Sequence, residues 1–197
     1  MKGKRSAPVF RATSIIASVF LTPFFRLETE GLENLPVKNA FVLLPKHQRW
    51  QDIPLLALAT PRPLYYMAKH ELFANPLSGW FLTSLGGIPL NRSRPLESRR
   101  YLRTMTALLR GGEGIVIFPE GTYFKNRMGP GHRGLVRMVL NRFNLPFIPV
   151  GIRYGERGFR RKVHVHFGQP VYGDPSGGAR EFLDRMMREI SRLSGIG

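Results

Sequence analysis

The sequence predicts an α/β fold: one domain with a mostly parallel central sheet flanked by helices. Three observations point to it. Short apolar runs of strand length alternate with longer runs whose apolar residues recur at helical spacing, the pattern of successive βαβ units. The chain has 197 residues, enough for one domain with a sizeable core. Hydrophobic residues make up 43 % of it, which excludes a disordered chain.

The elements follow in order. Lys2, Lys4, Arg5 and Arg11 form a basic leader, and residues 12–25 are then uncharged and apolar. Fourteen residues at about 1.5 Å each fall short of the roughly 30 Å hydrocarbon core of a bilayer. Phe24, Phe25 and Arg26 stand where a signal peptide would need a small-residue cleavage site. The stretch therefore reads as an interfacial membrane helix, its basic leader on lipid headgroups. Residues 1–27 are taken as the anchoring segment and 28–197 as the main domain.

Strands are expected over 40–45, 64–68, 87–91, 115–118, 146–152 and 163–167. Helices are expected over 52–59, 72–85 (interrupted by Pro76 and Gly79), 97–110, 133–143 and 180–193. The helix over 97–110 carries Tyr101, Leu102, Met105, Leu108 and Leu109 on one face and stops at Gly111. The last helix aligns Phe182, Leu183, Met186, Ile190 and Leu193. Residues 153–162 read as an exposed basic loop.

The formal charge is +17, and 23 of the 30 basic residues are Arg. The planar guanidinium suits phosphate and carboxylate oxygens. Three partners fit such a charge: nucleic acid, an anionic membrane surface, or phosphorylated small molecules. There is no cysteine, which excludes disulfides, thiolate zinc sites and a Cys nucleophile. The aromatic residues do not cluster with basic ones in any RNA-binding signature, so a nucleic-acid module is the remote alternative.

The most informative run is Pro45-Lys46-His47-Gln48-Arg49-Trp50-Gln51-Asp52. It lies between an apolar strand and a helix, so His47 belongs at the C-terminal edge of the sheet, where α/β folds build their sites. Asp52 is placed to hold one ring nitrogen, leaving the other to take a proton from a hydroxyl. Three further segments end strands: 86–92, delivering Arg92 to the same edge; Phe118-Pro119-Glu120-Gly121-Thr122; and 147–151, with Pro149 inside an apolar run. Each alone has an ordinary reading, as a surface Arg, a turn Glu and an edge-strand Pro.

Taken in this order, the four segments resemble the blocks of the glycerolipid acyltransferase family typified by bacterial 1-acylglycerol-3-phosphate acyltransferase. Those blocks are His-x4-Asp, a Gly-Ile-Pro block ending in Arg, Phe-Pro-Glu-Gly-Thr, and an apolar block around Pro. The resemblance covers residues 28–172. It implies a membrane-associated O-acyltransferase on the cytoplasmic face of the inner membrane. The acyl group would pass from acyl-CoA or acyl carrier protein to a lysophospholipid, foremost 1-acyl-glycerol 3-phosphate. Another lysolipid such as lyso-ornithine lipid, or glycerol 3-phosphate, is the alternative acceptor.

The resemblance assigns His47 and Asp52 as the catalytic pair, and Lys69, Arg92, Glu120, Gly121 and Thr122 to substrate. Lys69 and Arg92 would hold phosphate, and Glu120 would contact acceptor hydroxyls or brace the basic cluster. Backbone N–H groups of 120–122 would face the oxyanion. No metal and no cofactor beyond the acyl donor is implied, and the expected partners are anionic lipid, the acceptor and the donor. Two departures stand out: Lys46 where the family usually has Asn, and Tyr123 where it often has Arg.

Overall fold

The computed structural model describes residues 5–91, 95–156, 158–173 and 178–196, with residues 95–100 as backbone only. One seven-stranded sheet organises them. Its strands are β1 (Phe25–Glu30), β2 (Phe41–Pro45), β3 (Tyr65–Lys69), β4 (Gly87–Leu90), β5 (Gly114–Val116), β6 (Phe147–Tyr154) and β7 (Arg161–Phe167). Across the sheet the order is β1-β7-β6-β2-β5-β3-β4. The five strands from β6 to β4 run parallel. β7 turns back antiparallel to β6, and β1 lies parallel to β7, so these two run against the rest.

Successive side chains of a strand point to opposite faces, and β2 is buried on both. Phe41 and Leu43 enter one core with Leu55 and Leu56 of α2 (Asp52–Ala59). Val42 and Leu44 enter a second core with Met105 of α4 (Pro95–Arg110), Val136 of α5 (Arg133–Leu140) and Met186 of α6 (Ala179–Ser194).

Several elements differ from expectation. The helix expected over 72–85 is split into a 3-10 turn, His70–Phe73, and α3 (Pro76–Ser84). Asn75 is the reason: its side chain accepts the Leu77 N–H at 2.9 Å, and Pro76 occupies the first helical turn, where a missing N–H costs nothing. The helix α5 ends at Leu140, short of the expected 143. The basic loop over 153–162 shrinks, because β6 runs on to Tyr154 and β7 begins at Arg161.

The N-terminal helix α1 spans Ala7–Leu21, starting five residues before the apolar run, with Pro8 in its first turn. It packs against α2 and α3, and Leu21 touches the first core. The Ser6 N–H donates to the Ser84 carbonyl at 3.0 Å. None of its residues is buried, and Ile15, Ile16, Val19 and Phe20 are each more than half exposed. Strand β1 was not foreseen and begins before residue 27. Its charged residues hid a two-residue alternation in which Phe25 and Leu27 face the first core.

Candidate active site

Parallel strands deliver their C-terminal ends to one edge, and the site is built there. β2 is buried throughout and ends at Pro45. Lys46, His47 and Gln48 follow it and are also buried. Asp52 opens α2. The carboxylate at the helix N-terminus accepts the Gln48 N–H at 2.5 Å and the Arg49 N–H at 2.7 Å on Oδ2, closing the turn. The same oxygen faces His47 Nδ1 at 3.1 Å. Asp52 Oδ1 accepts the Tyr154 hydroxyl at 2.6 Å. The imidazole stacks on Phe118 at 3.8 Å between centroids and meets the Tyr123 ring edge-on at 4.4 Å. These contacts hold the ring and engage Nδ1 rather than Nε2.

Lys46 and Glu120 form a buried ion pair, with Lys46 Nζ donating to Oε1 at 2.8 Å and Oε2 at 2.6 Å. Nζ also donates to the Phe124 carbonyl at 2.8 Å and the His47 carbonyl at 3.2 Å. Glu120 in turn accepts the His47 N–H at 3.0 Å and the Gly129 N–H at 2.6 Å. Burial draws the Lys46 ammonium below its ordinary pKa, while hydrogen bonding to Glu120 and its charge pull the other way. Of the two roles expected for Glu120, the geometry is that of a brace: both its oxygens are engaged, and it is absent from the lining of the cavity beside His47. Gln48 adds a second tie, donating to the Ile152 carbonyl at 2.7 Å and accepting the Asn126 N–H at 2.9 Å.

The segment 118–124 folds over His47. Gly121 has φ +67°, a conformation glycine adopts freely, and its N–H donates to the Phe118 carbonyl at 3.1 Å. The Phe124 N–H donates to the His47 carbonyl at 2.9 Å. Beneath this turn lies a cavity of about 280 Å³ lined by His47, Lys69, Tyr66, Phe118, Thr122 and Tyr123, among others. The structure thus gathers His47, Lys69, Gly121 and Thr122 around one space. Arg92 lies outside the described residues. A larger cleft of about 890 Å³ shares Leu90, Ile117, Phe118 and Leu135 with the cavity, and its wall includes Arg133 and Arg180.

Sequence reasoning missed three participants. Lys46 registered only as a departure from the family pattern, since its partner is 74 residues away. Tyr154 fell in a presumed loop, and only a longer β6 would have exposed it. Tyr66 lines the cavity, its hydroxyl buried without a hydrogen-bond partner. Burial holds that phenol above its usual pKa. Among the described residues no group of three or more His, Asp or Glu is arranged to hold a metal ion.

The site thus sets a buried histidine, held by a carboxylate, at the wall of a cavity. The chain belongs to the Acyltransferase family, whose model matches residues 26–153. It is 29 % identical over 168 residues to the chloroplastic 1-acyl-sn-glycerol-3-phosphate acyltransferase BAT2 of Brassica napus, covering 80 % of this chain and 48 % of that protein. Against the 1-acyl-sn-glycerol-3-phosphate acyltransferase of Bacillus subtilis it is 33 % identical over 145 residues, 71 % of each. Against the lyso-ornithine lipid O-acyltransferase of Pseudomonas aeruginosa it is 29 % identical over 186 residues, 81 % of this chain and 69 % of that one. The chain thus spans about half the length of the Brassica relative. Its fold matches the crystal structure of the 1-acyl-sn-glycerophosphate acyltransferase PlsC from Thermotoga maritima, with a TM-score of 0.75 at 22 % identity, over 94 % of this chain and 78 % of that one.

Proposed function

We propose that this chain transfers a fatty acyl group from acyl-CoA or acyl carrier protein to the free hydroxyl of 1-acyl-glycerol 3-phosphate, giving phosphatidic acid. The observation that carries the reading is the His47 Nδ1–Asp52 contact at the wall of a largely apolar cavity. His47 Nε2 takes the proton of the acceptor hydroxyl as its oxygen attacks the thioester carbonyl. The tetrahedral intermediate collapses, the carbon–sulfur bond breaks, and the imidazolium returns its proton to the departing thiolate. Such base catalysis contributes about 10²–10⁴ in rate.

Gly121 already uses its N–H in the turn, so the Thr122 N–H and the unpaired Tyr66 hydroxyl are the better donors for the oxyanion. Lys69, with Arg92, holds the acceptor phosphate. The reaction needs no cofactor beyond the acyl donor.

The acceptor is a lipid, and the site is brought to it by a monotopic attachment to the cytoplasmic leaflet of the inner membrane. Among the described residues no helix is long and apolar enough to cross a membrane. The exposed Ile15, Ile16, Val19 and Phe20 of α1, joined by Leu77 and Trp80 of α3, suit insertion into the interface. The segment ahead of β1, residues 1–24, serves as the anchor, and each basic residue of the leader near an anionic surface adds about 1 kcal/mol.

Tyr123 favours a second reading of the acceptor. It sits edge-on to His47 where the family often has a phosphate-binding Arg, which suits a lysolipid with another headgroup, such as lyso-ornithine lipid. One experiment separates the two. Labelled acyl-CoA and acyl carrier protein are offered with a panel of acceptors that includes 1-acyl-glycerol 3-phosphate, lyso-ornithine lipid and glycerol 3-phosphate. The highest kcat/KM is expected for 1-acyl-glycerol 3-phosphate. Preference for another acceptor overturns the headgroup assignment, and transfer to none overturns the activity.

A further inference from the structure

Asp52 is held from two directions. Its Oδ2 takes the two backbone N–H groups of the turn and faces His47, all from the same short segment. Its Oδ1 is held from the neighbouring strand, by the hydroxyl of Tyr154 at the end of β6, 102 residues away in sequence. A carboxylate pinned at one oxygen can still rock about its Cβ–Cγ bond, and pinning the second oxygen removes that freedom.

The Tyr154 ring is itself clamped. The Arg49 guanidinium lies over it at 4.8 Å and that of Arg161 at 5.5 Å, and Phe25 packs edge-to-face at 6.4 Å. Two cations over a phenol draw electron density from it and make the hydroxyl a stronger donor. Burial, then the charge of Asp52, raises the phenol above its ordinary pKa, so it keeps its proton through the working range. Tyr154 is absent from the cavity beside His47, so it does not meet substrate there.

We propose that Tyr154 is a positioning residue of the base: through Asp52 it fixes the orientation and tautomer of His47. The inference rests on the assignment of His47 and Asp52 as the base pair. The charged and titratable groups around that pair are Arg49 in its own turn, Arg161 from β7, Tyr154 from β6, Tyr123 against the His47 ring, Tyr66 and Lys69 across the cavity, and Lys46 with Glu120 on the far side of His47.

The test is Tyr154→Phe, which keeps the ring between its two cations and removes only the donor. Removing a hydrogen bond to a charged acceptor is expected to lower kcat about 10- to 100-fold, with KM for donor and acceptor little changed. The acid limb of the kcat/KM–pH profile is expected to move to higher pH. An unneutralised carboxylate binds a proton more readily, and it also holds the imidazolium more tightly, and both changes demand a higher pH for an active base. In an Asp52→Asn background the same change is expected to add little, because the two residues act through one contact. A near-isosteric 3-fluorotyrosine at position 154 strengthens the donor without disturbing packing, and is expected to shift the acid limb to lower pH. A folded Tyr154→Phe with unchanged kcat and pH profile overturns the proposal. So does a full additional loss in the Asp52→Asn background, or an unmoved limb with 3-fluorotyrosine. Full activity in His47→Ala instead overturns the base assignment on which the proposal stands.

Discussion

At the C-terminal edge of β2 three charged side chains, Lys46, Asp52 and Glu120, are buried, while along α1 and α3 apolar side chains as large as Phe20 and Trp80 are exposed. Each region departs from the usual distribution of residues, in opposite directions. The difference lies in how the departures are balanced. Every buried charge is met inside the protein: Lys46 by four acceptor atoms, Glu120 by Lys46 and two backbone N–H groups, Asp52 by Tyr154, His47 and two more. The three buried charges thus hold one another and the turn in a single geometry, as the proposed base requires. The exposed apolar face is not met by anything in the described chain, which is the condition expected of a surface whose partner is the lipid phase.

Changes at the two regions should therefore have opposite signatures, activity or stability at the first and partition at the second. Short of removing His47 itself, the largest effect is expected from Asp52→Asn, which puts an amide where Oδ2 and Oδ1 now accept four donors. Turnover should fall by about 10² or more, measured as kcat with saturating donor and acceptor. Glu120→Ala is expected to leave the Lys46 ammonium buried without its partner and to cost about 3–5 kcal/mol, read from urea unfolding. Lys46→Met combined with Glu120→Met should cost clearly less than the two single changes added together, since the pair is removed as a unit. Equal and additive losses would show that the two residues are not coupled.

On the other side of the comparison, Ile16→Glu with Phe20→Glu should weaken binding to anionic vesicles at least tenfold while thermal stability stays within about 0.5 kcal/mol of the parent, because both positions are already exposed. Loss of stability instead would place α1 in the fold rather than on the membrane. The smallest expected change in stability belongs to Tyr66→Phe. Its hydroxyl is buried and unpaired, so removing it should leave stability unchanged or slightly raised, while turnover falls if the group faces the oxyanion. A destabilised Tyr66→Phe would mean that the hydroxyl has a partner in the resting protein.

The contact between His47 and Asp52 was legible because both residues lie in one segment. The five-residue step from His47 to Asp52 straddles a strand end and a helix start, and α2 forms over the expected 52–59. The apolar run 40–45 likewise returns as β2, because a strand buried on both faces leaves no polar alternation to misread. What the sequence hid depends on distance. Lys46 looks like a surface lysine until Glu120 is brought to it by the neighbouring strand β5. Tyr154 looked like loop because the stretch after Ile152 is basic, whereas pairing with Val163 extends the hairpin that far. β1 was lost among its Glu and Arg residues, which occupy the outward face of an edge strand. Residues 12–25 were identified as apolar, but their polarity did not reveal where the helix starts, at Ala7, or that Pro23 follows its end.

We propose His47 as the base of an acyl transfer to a lysolipid. Its most direct test is the rate of labelled phosphatidic acid formation from 1-acyl-glycerol 3-phosphate and a labelled acyl thioester on anionic vesicles, for the parent protein and for His47→Ala side by side. Product is expected from the parent, and none above background from a His47→Ala protein that is folded and still bound to the vesicles. Near-parental turnover by that variant would contradict it.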